Sequence, residues 1–118
     1  MMRTLFAIFA FSATLLTPAR AAIQEREVEY TDGDVALRGV LVWDDAVSGP
    51  RPGVLVVHEW WGRNDYAKRR ATMLAELGYA AFAVDMYGTG KLTSDPAQAG
   101  AWAGALKNDR PAMRARVG

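Results

Sequence analysis

One run of five residues, His58-Glu59-Trp60-Trp61-Gly62, concentrates the chemistry of this chain: an imidazole, a carboxylate and two indoles precede a glycine that frees the backbone. A His-Glu pair opens the zinc-protease helix motif, but that motif needs a helix and a second His where Gly62 stands. The zinc-protease reading therefore fails. Gly90-Lys91 has the end of a phosphate loop without its frame, because Asp85 takes the place of the first Gly and Leu92 that of the Ser or Thr. Gly88 and Gly90 likewise begin a dinucleotide fingerprint whose third Gly is replaced by Thr93. No cofactor is expected. Nucleophiles are scarce: the chain has no Cys, and Ser12, Ser48 and Ser94 all lie outside a Gly-x-Ser-x-Gly frame. His58 is the sole His, so it cannot serve both as a catalytic base and in a metal cluster.

The elements that must position these residues can be read on either side of them. Val54-Leu55-Val56-Val57 is a run of four aliphatics, which suits a parallel strand covered on both faces. The spacing of Tyr66, Arg70, Met73, Leu74 and Leu77 predicts a helix over residues 64–77 with a mostly apolar stripe, and Gly78 fits the left-handed stop. A second strand over residues 79–84 ends at Asp85, so strand, helix and strand form a βαβ unit. Ligands in open α/β sheets gather at the carboxyl ends of the strands, where both His58 and Asp85 fall. Upstream, residues 26–31 and 35–43 flank Asp32-Gly33 and predict a β-hairpin. Downstream, Ser94 or Asp95 caps a helix opened by Pro96 and running to about residue 106, and Asn108-Asp109-Arg110-Pro111 starts another.

Composition narrows the classes further. With 118 residues, 51% hydrophobic and 23% charged, the chain is one small globular domain or part of one. A net charge of +1 supplies no basic footprint for nucleic acid. Arg3, an apolar run over residues 5–16 and Ala19-Arg20-Ala21 read as a signal peptide over residues 1–21, which addresses the protein to the bacterial periplasm or the medium. That run stops at Thr17-Pro18, short of the ~20 residues a membrane span needs, so no stable membrane anchor is expected.

Four blocks together carry a resemblance. Residues 53–62, Asn64-Asp65, Leu77-Gly78-Tyr79 and Val84-Asp85-Met86-Tyr87 resemble the dienelactone hydrolase family of the α/β-hydrolase superfamily, in the order and spacing of that family. The resemblance implies an α/β fold of which residues 22–118 form the N-terminal part, a β-hairpin followed by a βαβ unit and helices. It implies a small-molecule lactone or ester as substrate. It also implies that the Trp60 N–H serves the oxyanion hole and that Glu59 lies near a nucleophilic Cys and takes part in activating it, a carboxylate expected to be partly shielded by Trp60 and Trp61. Trp61 and Tyr87 are expected to line the substrate pocket, and Lys91 to stand in for a substrate-binding Arg that the family often has just beyond the Tyr. Asp85 is expected to brace the loops, and His58 to be structural. Family members carry the nucleophile on a Gly-x-Cys-x-Gly elbow and an Asp and a His further on, none of which this sequence contains. The chain alone is therefore expected to be inactive, cut off before the elbow, and a non-catalytic remnant or small binding module is the competing expectation.

Overall fold

The computed structural model describes residues 22–118, so the signal peptide read over residues 1–21 lies outside the described residues. Strands β1 (Ile23–Asp32) and β2 (Val35–Asp44) form the expected hairpin, in antiparallel register from Ile23 against Asp44 to Asp32 against Val35. Strand β3 (Gly53–Val57) leads through helix α1 (Asp65–Glu76) to strand β4 (Ala80–Val84), and β3 and β4 pair in parallel. Because β2 pairs antiparallel with β4, the sheet is mixed, with order β1-β2-β4-β3. Helices α2 (Pro96–Asn108) and α3 (Arg110–Ala115) complete the described residues.

Both ends of α1 are chemically defined. The Asn64 side chain accepts from the Ala67 N–H at 3.2 Å, satisfying one of the donors that the first turn leaves open. Gly78 takes φ +93°, its N–H donates to Ala75 and the Tyr79 N–H donates to Leu74, the double bond of a Schellman stop. The buried face of the helix differs from the predicted stripe: Ala67, Ala71 and Ala75 are buried, whereas Tyr66, Met73 and Leu77 are exposed. Alanines spaced four apart let the helix lie close on Val40, Val42, Ala81 and Ala83, and the large side chains fall outside that contact.

Strand β3 departs from its prediction in the same way. Val54 and Val56 are partly covered, but Leu55 and Val57 remain 53% and 55% exposed on the other face. The strand is at the edge of the sheet, and α2, which packs on the same face at Phe82 and Val84 of β4, leaves both side chains more than half open. On the β4 side, Val84, Met86 and Tyr87 form a second small core with Phe82, Trp102, Ala103 and Leu106 of α2. Gly39 makes room for Phe82: a Cβ there would lie 2.2 Å from the ring.

Candidate active site

The carboxyl ends of β3 and β4 lie side by side, and the loops that leave them are fastened to each other. Asp85, 3% exposed, receives three backbone N–H bonds through its carboxylate. Oδ2 accepts from Arg38 at 3.1 Å, and Oδ1 accepts from Tyr87 at 3.0 Å and from Gly88 at 2.9 Å. The Asp85 N–H also donates to the Tyr30 hydroxyl at 3.0 Å. The expected bracing role of Asp85 is therefore visible atom by atom. Burial of a carboxylate is tolerated because each bond answers its charge with a dipole.

His58 ties this loop to the other. Its Nε2 lies 3.0 Å from the Met86 N–H and its Nδ1 2.6 Å from the Glu59 carbonyl oxygen. A backbone N–H can only donate, so Nε2 is the acceptor and Nδ1 carries the proton. The imidazole is thus neutral, and its ring meets Tyr87 edge-on at 4.8 Å. Burial lowers the His58 pKa from its usual value; the Glu59 carbonyl and Asp85 act against that shift, and Arg63 adds to it. Burial likewise raises the pKa of Tyr87, keeping its hydroxyl protonated at neutral pH.

The turn after β3 is held from several sides. The Gly62 N–H donates to the Glu59 carbonyl at 3.3 Å, and the Thr93 N–H donates to the Trp61 carbonyl at 3.2 Å. Gly62 adopts φ +95°, and a Cβ there would stand 2.3 Å from the Lys91 carbonyl oxygen. Glycine is required at this position on both counts. Among the described residues, the Trp60 N–H meets no acceptor.

Of the five expected site residues, Glu59, Trp60 and Tyr87 share one hollow of about 250 Å³, whose wall also includes Val57, Met86, Leu106 and Met113. Trp61 packs against Trp60 with ring centroids 4.7 Å apart and planes tilted by 55°, without lining that hollow. Lys91 is exposed and borders a separate depression with Tyr87, Trp102 and Arg116. Glu59 is exposed, so the expected shielding by Trp60 and Trp61 is not present among the described residues. The two indoles pack on each other and leave the carboxylate in solvent.

Sequence reasoning missed two contributions. Ala103, Leu106 and Lys107 bring one face of α2 to the hollow, a face that their i, i+3 and i+4 spacing could have signalled. Arg116 donates to the Met86 carbonyl and pairs with Asp32 at 3.4 Å, anchoring the chain after α3 to the hairpin. Partners 30 and 84 residues away leave no local trace.

A mixed sheet with helices is the arrangement that this chain shares with solved dienelactone hydrolase structures. The profile of the dienelactone hydrolase family matches residues 37–116, and the chain belongs to that family. The solved structure of m3DLH is 46% identical and superposes over 80% of this chain with a TM-score of 0.76. A dienelactone hydrolase-like promiscuous phosphotriesterase from metagenomic libraries is 44% identical over the same share, with a TM-score of 0.75. Protein usf of Aquifex pyrophilus is 35% identical over 79 residues, or 62% of this chain. The chain spans 39% of each of these solved structures and 31% of protein usf.

Proposed function

We propose that the complete domain, these residues together with the remainder of the fold its relatives carry, hydrolyses lactones or small carboxylic esters. The Trp60 N–H is one oxyanion donor in this reading. A Cys on an elbow beyond these residues attacks the carbonyl carbon, and the oxygen of that carbonyl gains negative charge in the tetrahedral intermediate. Collapse expels the alcohol oxygen, which takes a proton from the catalytic His, and leaves a thioester. Water then attacks the thioester, releasing the carboxylic acid and restoring the thiol. A fixed donor at the developing charge is worth about 10²–10³ in rate, because it needs no reorganisation during the reaction. Glu59 lies on the same turn and takes part in activating the nucleophile, and Trp61, Tyr87 and Lys91 border the substrate. The protein is exported before it acts.

The observation that carries the reading is the free Trp60 N–H beside an apolar hollow, on a turn fixed at the end of a parallel strand. The test is an assay of the complete domain on p-nitrophenyl acetate and on a simple lactone, with mass spectrometry of the quenched protein. Turnover with an acyl adduct on a cysteine supports the proposal; no turnover on either substrate refutes it. A neutral phosphotriester belongs in the same assay, given the activity named for one of the similar structures.

A further inference from the structure

His58 makes a bond whose consequence extends beyond holding two loops together. The carbonyl that accepts from its Nδ1 belongs to the peptide unit joining Glu59 to Trp60, and the N–H of that unit is the donor assigned to the oxyanion hole. The peptide is planar and trans, so its N–H points opposite to its carbonyl. Holding the carbonyl therefore fixes the direction of the N–H. Two donors do this, His58 Nδ1 at 2.6 Å and the Gly62 N–H at 3.3 Å. The ring is itself held by Met86 through Nε2 and by the edge of Tyr87.

We propose that His58 is a positioning residue for ester hydrolysis: its Nδ1–H holds the Glu59–Trp60 peptide so that the Trp60 N–H is presented to the developing oxyanion. This rests on the hydrolase reading above. A donor to a peptide carbonyl also polarises the unit, which strengthens the N–H at its other end as a donor. His58 touches neither substrate nor nucleophile in this account and acts only through the backbone.

The two ring nitrogens can be removed separately. In His58→Asn the side-chain amide nitrogen lies near the place of Nδ1 and keeps a donor for Glu59, while the acceptor for Met86 is lost. In His58→Gln the side-chain oxygen lies near the place of Nε2 and keeps the Met86 bond, while the donor to Glu59 is lost. In the complete domain, kcat of His58→Gln is expected to fall about ten- to a hundredfold with KM little changed, the scale of a small misplacement of a catalytic group. His58→Asn is expected to stay within about threefold of the unmodified enzyme, because the oriented donor remains. Wild-type kcat in the Gln variant, or an equal loss in both variants, would overturn the proposal, since a simple strut between the loops gives one of those patterns.

Nitrogen-15 NMR of the unmodified chain keeps the idea testable if a variant fails to fold. The proposal requires the Nδ1–H tautomer at neutral pH, and an Nε2–H tautomer sinks it. The two failures read differently: absence of ester hydrolysis by the unmodified complete domain removes the hydrolase reading, whereas normal hydrolysis with the wrong tautomer removes only the role of His58.

Discussion

The sheet has two edges, and they are built on opposite principles. Along β1, Glu25, Glu27 and Glu29 are exposed and reach Lys68, Arg63 and Arg38 at 2.7 to 3.9 Å. Charges of this kind discourage a second chain from adding a strand. Strand β3 itself carries no charge: Leu55 and Val57 stand open, and Tyr66, Met73 and Leu77 of α1, with Arg70 and Glu76 among them, line a groove of about 670 Å³. One edge has the surface of a finished sheet and the other that of an interior. The difference lies in a chain that spans 39% of m3DLH and 39% of the metagenomic phosphotriesterase, and the proposed complete domain places its further elements against the β3 side.

The contrast can be broken most severely at Leu55. In the complete domain Leu55→Asp is expected to cost about 3 kcal/mol or more, the result of placing an unpaired charge in an interior. Glu27→Leu on β1 is expected to change stability by about 0.5 kcal/mol or less, the usual range for exposed positions. Denaturant midpoints of the two variants decide it, and similar losses would erase the distinction between the edges.

Glycines sharpen the comparison at the next scale. Gly62→Ala should cost about 2–3 kcal/mol, since it combines backbone strain with a collision against the Lys91 carbonyl. Gly33→Ala in the turn between β1 and β2 should cost only about 1 kcal/mol, because its φ is +55° and nothing lies within 4 Å of the new methyl. Thermal melts of both variants check the ordering.

Acid should act on the β3 side through His58. The folded pKa is lowered, so the unfolded chain binds more protons in the window below about 6.5, and stability falls with pH there. The contribution is complete above the unfolded value and lost as pH passes down through the folded one. His58→Asn, which has nothing to titrate, should show a flatter dependence of the melt over that window. The smallest effect is expected where α1 meets β1: Lys68→Ala removes the bond to Glu25 and should cost at most about 0.5 kcal/mol, less at high salt.

What could be read from the sequence follows the same division. The hairpin, α1 with its Gly78 stop, the parallel β3–β4 pair and the start of α2 announce themselves through local patterns, whereas the choice of Asp95 over Ser94 as the α2 cap and the capping by Asn64 come from the structure. The buried face of α1 did not, because apolar size suggested Tyr66, Met73 and Leu77, and close packing selected alanines instead. The coverage of β3 was misjudged for a related reason: four aliphatics reveal what the strand is suited to, not which neighbours are at hand. At the site, the pentad was legible through its residue types. The part played by Arg116 and the tautomer of His58 depend on contacts made only when distant segments meet.

The most direct test of the account is the effect of Glu59→Gln in the complete domain, with turnover of a neutral ester and the melting temperature measured on the same preparation. Because Glu59 is exposed and lines the hollow beside the Trp60 N–H, the account predicts a loss of kcat of about tenfold or more with the melt nearly unchanged. Unchanged turnover, or losses of activity and stability in step, would contradict a catalytic role for this turn.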